Sequence, residues 1–443
     1  MDIKELSSIM RENGVVGAGG AGFPSYAKLN EKADILILNC AECEPLLKLH
    51  RQVMEKYAYE ICTTLEVIAN AIGAERVIVA IKGGYKGAID AIKRNMPSLT
   101  KTEIGILPEI YPAGDEVITI YETTGRVVPP GSIPIEVGAI VYNVETVLNV
   151  YKAMNNEGPV VHKYVTVAGE VNNPVTLKAP LGITVNELVF LAGGSRVRNP
   201  VFIGGGPMTG PLVNGTDTIT KTSNAILVFS PEHSLIKKKQ SKNSINLQRA
   251  KSVCCQCQMC TDLCPRNLIG HPIAPHQFMR VVSNSITNQT KPYLDTFFCS
   301  ACGVCEMFAC PQGLSPRSLI AQYKEALRGG GVAIPKGIIP NGVNSAREYR
   351  RVPMSRLTAR LGLTKYNLPA PLLDEVIPAK MVKIKITQHI GSPSEVCVLV
   401  NERVQIGQVI AKAGEGKLGV NTHASIDGIV IAIDDKYITI QSN

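Results

Sequence analysis

"GVVGAGGAGFPSYAKLN", residues 14–30, contains Gly17-x-Gly19-x-x-Gly22, the spacing of a dinucleotide-binding fingerprint. That fingerprint requires a β-strand before the first glycine and a helix opening inside the motif. Neither is expected here. The preceding IKELSSIMREN has helical periodicity, and Phe23-Pro24 after the last glycine is a poor start for a phosphate-binding helix. Glu42 stands twenty residues beyond Gly22, where a ribose-binding carboxylate would sit, but it does not supply the missing strand. The loop is therefore read as a backbone cradle outside a standard Rossmann unit. Its N–H groups can approach a ligand that a Cβ would hold off.

The surrounding pattern predicts a multidomain α/β and α+β chain. In residues 1–155, ADILILN (33–39), RVIVAIK (76–82) and EIGIL (103–107) read as buried parallel strands. Helical stretches are expected over 48–72, 85–95 and 114–124, which gives an α/β layer. Residues 160–232 are strand-rich, and 233–250 form a polar, basic connector into a cysteine-rich domain at 251–325. Residues 326–378, which include the Gly- and Pro-rich RGGGVAIPKGIIPNGVNSA, read as a linker, and 379–443 as an all-β module of short strands and turns.

Composition excludes several classes. The 46 basic and 37 acidic side chains leave a net charge of +9, dispersed except at Lys237–Lys239, so no nucleic-acid partner is indicated. The N-terminus lacks the pattern of a secretory signal, and no run of about 18 apolar residues occurs, so a cytoplasmic chain without a transmembrane segment is expected. Thirteen cysteines in such a chain point to metal ligation rather than disulfides.

Their spacing is specific. CCQCQMCTDLCP gives Cys254-x2-Cys257-x2-Cys260-x3-Cys264-Pro, the bacterial ferredoxin run. CSACGVCEMFACP gives Cys299-x2-Cys302-x2-Cys305-x4-Cys310-Pro, one residue longer before the last cysteine. Zinc sites use separated pairs of ligands, not three in a row with a proline-flanked fourth. In two-cluster ferredoxins that fourth cysteine crosses to the other cluster. Two [4Fe–4S] clusters are therefore expected, one on Cys254, Cys257, Cys260 and Cys310, the other on Cys299, Cys302, Cys305 and Cys264. Cys255 is surplus, and Cys40 and Cys43 read as small turn residues.

Four segments in order resemble the flavin and nicotinamide site of the NADH-binding subunit of respiratory complex I. They are GAGGAGFPSYAKL (17–29), NCAECEP (39–45), YPAGDE (111–116) and YNVET (142–146). With two ferredoxin runs added, the set resembles RnfC, a component of the Rnf electron-transport complex, and the cobalamin reductases of propanediol-utilisation microcompartments. Residues 165–194 look like an SLBB β-grasp module. Residues 387–433 look like the barrel-sandwich module that opens RnfC; here it closes the chain, the order found in the cobalamin reductases. The resemblance implies FMN held by Gly17, Gly19, Gly20, Gly22, Asn39, Glu42, Gly114, Asn143 and Thr146. It implies NADH faced by Lys28, Glu44, Tyr111 and Glu116. The chain departs from the complex I pattern at Ala18, Ala41 and Tyr142.

The implied function is electron transfer from NADH through FMN and two [4Fe–4S] clusters to a partner-bound acceptor, a corrinoid in the cobalamin-reductase reading. The alternative is an electron-transfer subunit or adaptor of an Rnf-type complex or amino-acid reductase, without NADH oxidation of its own. The partner would be a corrinoid enzyme, an adenosyltransferase or another electron-transfer subunit, and the location the cytoplasm or the interior of a microcompartment. No catalytic side chain is assigned.

Overall fold

The computed structural model describes residues 1–442. Strands β1 (Ile35–Asn39), β2 (Arg76–Lys82), β3 (Thr102–Leu107) and β4 (Ala139–Asn143) form a parallel sheet in the order β3-β2-β1-β4. Their apolar runs follow from burial on both faces. Helices α1 (Ile3–Glu12), α2 (Leu49–Lys56), α3 (Ala58–Ile72), α4 (Lys86–Asn95) and α6 (Val144–Met154) supply the core on one side. On the other side α5 (Glu116–Thr124) stands almost alone and is joined by Ile269 from the cysteine-rich domain. The expected helical stretch 48–72 is broken at Tyr57, which leaves helical geometry (φ −115°, ψ 32°). The glycine loop precedes β1 instead of following it.

Strand order places a topological switch between β1 and β4, and ligands of open α/β sheets bind outside the carboxyl ends of strands at such a point. Asn39 and Asn143, the last residues of these two strands, are register partners there.

The middle domain is a mixed six-stranded sheet. In spatial order its strands are Leu372–Val376, Val175–Pro180, His162–Gly169, Ala225–Phe229, Val201–Gly204 and Leu212–Val213. A capping box at Thr184 and Glu187 starts its helix, Val185–Leu191. The connector at 233–250 is largely helical, as Ser234–Lys239 and the start of Asn243–Val253. The segment 326–378 is ordered beyond its extended middle. Val352–Pro353 pairs with Ile110–Tyr111, and Leu372–Val376 forms the edge of the middle sheet. Local composition shows the glycines and prolines but not the open strand edges that receive these segments. The C-terminal module comprises a four-stranded and a three-stranded sheet around one core.

A fully buried ion pair joins the first two domains. Lys163 Nζ meets the Glu145 carboxylate, which also accepts the Tyr164 N–H at 3.1 Å, and Lys163 donates to Asn224 Oδ1 at 2.8 Å. Removing one partner of such a pair costs roughly 3–5 kcal/mol, because a charge stays buried without compensation. Lys163→Met is expected to lower the thermal midpoint seen by circular dichroism, and adding Glu145→Gln should recover much of the loss. Absence of recovery would show that the charge pair does not hold this junction.

Candidate functional site

The glycine loop lines a cavity of about 530 Å³. That is within the roughly 300–1,000 Å³ of cofactor sites. Its walls also include the switch-point residues Asn39 and Asn143, together with Gly114, Thr146, Lys28 and Glu116. The loop is tied at its ends, with the Gly17 N–H to Phe23 O at 2.9 Å and the Ala18 N–H to Thr146 Oγ1 at 2.9 Å. Among the described residues no protein acceptor faces the amides of Gly19, Gly20 and Ala21. Free N–H groups on a cavity wall suit the phosphate and polar ring edge of a flavin. A Cβ on Gly20 would stand in open space, whereas one on Gly19 would lie 2.5 Å from Asn143 Nδ2. A Cβ on Gly114 would strike the Ala41 carbonyl and lie 2.9 Å from Cys43 Sγ. Close approach therefore demands glycine at 19 and 114. The cavity fits FMN.

Polar groups at the rim are already engaged. Lys28 Nζ donates to Glu116 Oε1 and to Val141 O, both at 2.9 Å. Asn39 bridges Gly114 O and the Ala41 N–H, and Asn143 caps α6 while its amide meets His50 Nε2 at 3.1 Å. Burial pushes His50 down to about 3, so it is neutral.

Glu42, Glu44 and Tyr111 do not line the cavity. Glu42 is buried beneath it and accepts the His50 N–H at 3.0 Å. Desolvation, only partly offset by Arg51, raises its pKa. Glu44 reaches the middle domain, accepting the N–H groups of Met208 and Thr209 at 2.7 and 2.9 Å. Tyr111 is buried and donates to Cys302 O at 2.6 Å. Cys40, which is buried, and Cys43, which is partly exposed, are free thiols, and desolvation raises both, Cys43 to about 12.

The cysteines gather in two voids. Cys254, Cys257, Cys260 and Cys310 line one, with Cys255 also on its wall, and Cys264, Cys299, Cys302 and Cys305 line the other. Burial, then repulsion from Cys310, Cys254 and Cys257, pushes Cys260 up to about 12. Burial, then Cys299, Cys302 and Cys264, holds Cys305 far above its ordinary value. Such thiols become thiolates only when a metal supplies the compensating charge. The two loops repeat one conformation. Left-handed backbone occurs at Gln256 and Gln258 in the first, and at Ala301 and Gly303 in the second, at matching offsets from the cysteines. The extra residue before Cys310 is absorbed as a π-helical turn, Cys305–Ala309. Its Glu306 accepts the Ser318 N–H at 2.9 Å near the start of the helix Pro316–Gly329.

Two residues to which the sequence motifs assign no role connect the cavity to the second void. Asp115 caps α5 through Val117 and Ile118 N–H, and also accepts from Arg266 Nη2 at 2.9 Å on both oxygens. Arg266 lies two residues after Cys264 and lines the same void. Only their chain neighbours, Gly114 and Glu116 on one side and Cys264 on the other, hint at this role.

Family models match residues 10–152 (Nuo51 FMN-binding domain), 164–212 (SLBB domain), 253–315 (4Fe-4S dicluster domain) and 369–443 (RnfC Barrel sandwich hybrid domain). The cobalamin reductase PduS of Citrobacter freundii is 41% identical over 99% of this chain and 97% of its own length. The chain belongs to the PduS family. One component of the proton-translocating ferredoxin:NAD(+) oxidoreductase complex of Clostridium ljungdahlii is a more distant relative, 32% identical over 60% of this chain and 57% of its own. An NAD+-reducing [NiFe]-hydrogenase in the H2-reduced state shares the fold at 20% identity, with a TM-score of 0.50 over 77% of this chain and 64% of that one. The family assignment makes this chain a flavin and iron–sulfur oxidoreductase. No helix of the described residues is long and apolar enough to cross a membrane.

Asn143 cannot yield freely to a side chain at position 19, because its amide is held by His50 and by the α6 cap. Gly19→Val is expected to abolish flavin binding while the iron–sulfur absorbance of the purified protein persists. Full retention of FMN in that variant would show that the loop does not hold it.

Proposed function

We propose that this chain takes electrons from NADH and delivers them to a corrinoid presented by a partner protein. FMN held in the cavity would supply the change from two-electron to one-electron chemistry, taking one hydride with its two electrons, and each of two [4Fe–4S] clusters would carry one electron at a time. The observation that carries the reading is the turn Tyr111–Glu116. Its Gly114 and Glu116 wall the flavin cavity, while Tyr111 and Asp115 bond to Cys302 and Arg266. Flavin cavity and second cysteine void thus adjoin one turn, which supports electron transfer between their occupants. The loop of the first quartet is the exposed one, open at Cys255, Cys257 and Met259. A redox partner would dock there, beside the half-exposed Val253 and the basic Lys251. Corrinoid as the acceptor rests on the activity named for the PduS relatives. A microcompartment or cytoplasmic location rests on the same relatives.

In this reading Cys254, Cys257, Cys260 and Cys310 hold one cluster, and Cys264, Cys299, Cys302 and Cys305 the second. Anaerobic analysis should then find about eight iron and eight sulfide per chain, by the composition of two such clusters. Cys257→Ser is expected to halve that count, and Cys255→Ser to leave it unchanged. A wild-type count near four, or zinc in place of iron, would overturn the ligand assignment.

A second reading, an adaptor without NADH oxidation, is favoured by the engagement of Glu44 and Tyr111 away from the cavity and by the Lys28–Glu116 pair at its rim. Anaerobic addition of NADH to the isolated, flavin-loaded chain separates the two. The first reading expects flavin absorbance to bleach at once and cluster absorbance to follow. An unchanged flavin that is still reduced by dithionite would establish the adaptor.

A further inference from the structure

A second cavity, of about 310 Å³, lies where α6, the middle sheet and the C-terminal module meet, away from the flavin loop. Its walls come from Lys152 on α6, His162 and Lys178 on neighbouring strands of the middle sheet, and the Ile406–Gly407 turn of the C-terminal module. We propose that this cavity binds the phosphate group of a small anion, with Lys152, Lys178 and His162 as its donors.

Three observations support the assignment. Lys152 is largely withdrawn from water, yet among the described residues its ammonium forms no ion pair. It lies over the rings of Tyr57 and Tyr164, with centroids at 5.9 Å, and Glu145, Asp374 and Glu157 act on it from beyond ion-pair distance. His162 Nε2 is buried without a hydrogen-bond partner. The three groups also act on one another. Burial, then Lys178 and Lys152, holds His162 down to about 4, and burial, then Lys178, lowers Lys152. A neutral imidazole keeps one N–H to donate, and two converging ammonium groups gain from a dianion between them.

The nearby carboxylates leave Lys152 without an ion-pair partner and give Lys178 only a long one. Glu145 is committed to Lys163 and the Tyr164 N–H. Asp374 is held by Lys56, Tyr57 and Tyr164, with Lys178 at 3.9 Å. Glu157 lines the cavity but is exposed to water. The volume exceeds that of a bare phosphate, so both inorganic phosphate and the phosphate ester of a small metabolite are admitted.

Isothermal titration of the full chain, loaded with flavin and clusters, tests the proposal with inorganic phosphate, glycerol 3-phosphate and glycerol. Both phosphates are expected to bind and glycerol not to bind. Tighter binding of the ester identifies an organic phosphate as the ligand, and equal or weaker binding identifies inorganic phosphate. Lys152→Met and, independently, Lys178→Met should each weaken binding about tenfold or more while flavin and cluster absorbance stay intact. The proposal is overturned if neither phosphate binds, if both variants bind like the wild type, or if binding is lost in Lys28→Met instead, which would assign it to the flavin cavity.

Discussion

Asp115 has two jobs that are usually separate: it caps the N-terminus of α5, and it accepts Arg266 on both oxygens. The first job fixes the turn that presents Gly114 and Glu116 to the flavin cavity. The second fixes the residue pair after Cys264. Both side chains are mostly buried, so the ion pair is screened little by water, and two oxygens on one guanidinium nitrogen restrict its geometry. Tyr111 adds a part-buried hydrogen bond to the opposite loop of the same void. Cavity and void therefore move together, and a small shift in either domain is opposed by both contacts.

The grouping of the cysteines was legible because the constraint on their spacing is local. Three thiols at two-residue gaps need a tight loop, and the same left-handed positions recur in both loops, at Gln256 and Gln258 and at Ala301 and Gly303. A non-glycine residue there costs free energy, of order 1 kcal/mol or more, and persists when its surroundings over-determine it. The longer gap before Cys310 was visible as a count, but its resolution into a π turn was not. The parallel strands were legible for a similar reason: burial on two faces leaves uninterrupted apolar runs.

What the sequence could not show was long-range partnership. Glu44 sits in an acidic turn beside flavin-loop residues, and nothing in that turn reveals that the backbone of Met208 and Thr209 takes its carboxylate. Tyr111 is equally uninformative, since its partner is a carbonyl 191 residues away. The segment 326–378 has the composition of a linker because glycine and proline mark irregular backbone. Its later residues gain structure from other parts of the chain, by adding to open strand edges and, in the helix Met354–Arg360, by burying Leu357 in a shared apolar core. A residue type declares its own donors and acceptors but not who will meet them.

Long-range partnership also explains how the C-terminal module contributes to the flavin site from the far end of the chain. Gly22 has φ +74°, and a Cβ there would lie 2.9 Å from Gln388 O and 3.2 Å from His389 Cα, so the module's backbone packs directly on the glycine loop. Its Ile390 N–H donates to Gly22 O at 3.1 Å, and Arg11 Nη2 of the first domain donates to Gly414 O at 2.6 Å. Lys221 of the middle domain completes the junction, buried between Gly14 O at 2.8 Å and Asn421 O at 3.2 Å. None of these contacts depends on where in the sequence the module is attached. They require only that a connection reach the outer side of the glycine loop, and the strand Leu372–Val376, running along the middle sheet, provides it. The loop's conformation is thus set from both sides: Thr146 and Asn143 of the first domain hold its inner face, and a domain more than 350 residues downstream closes its outer face.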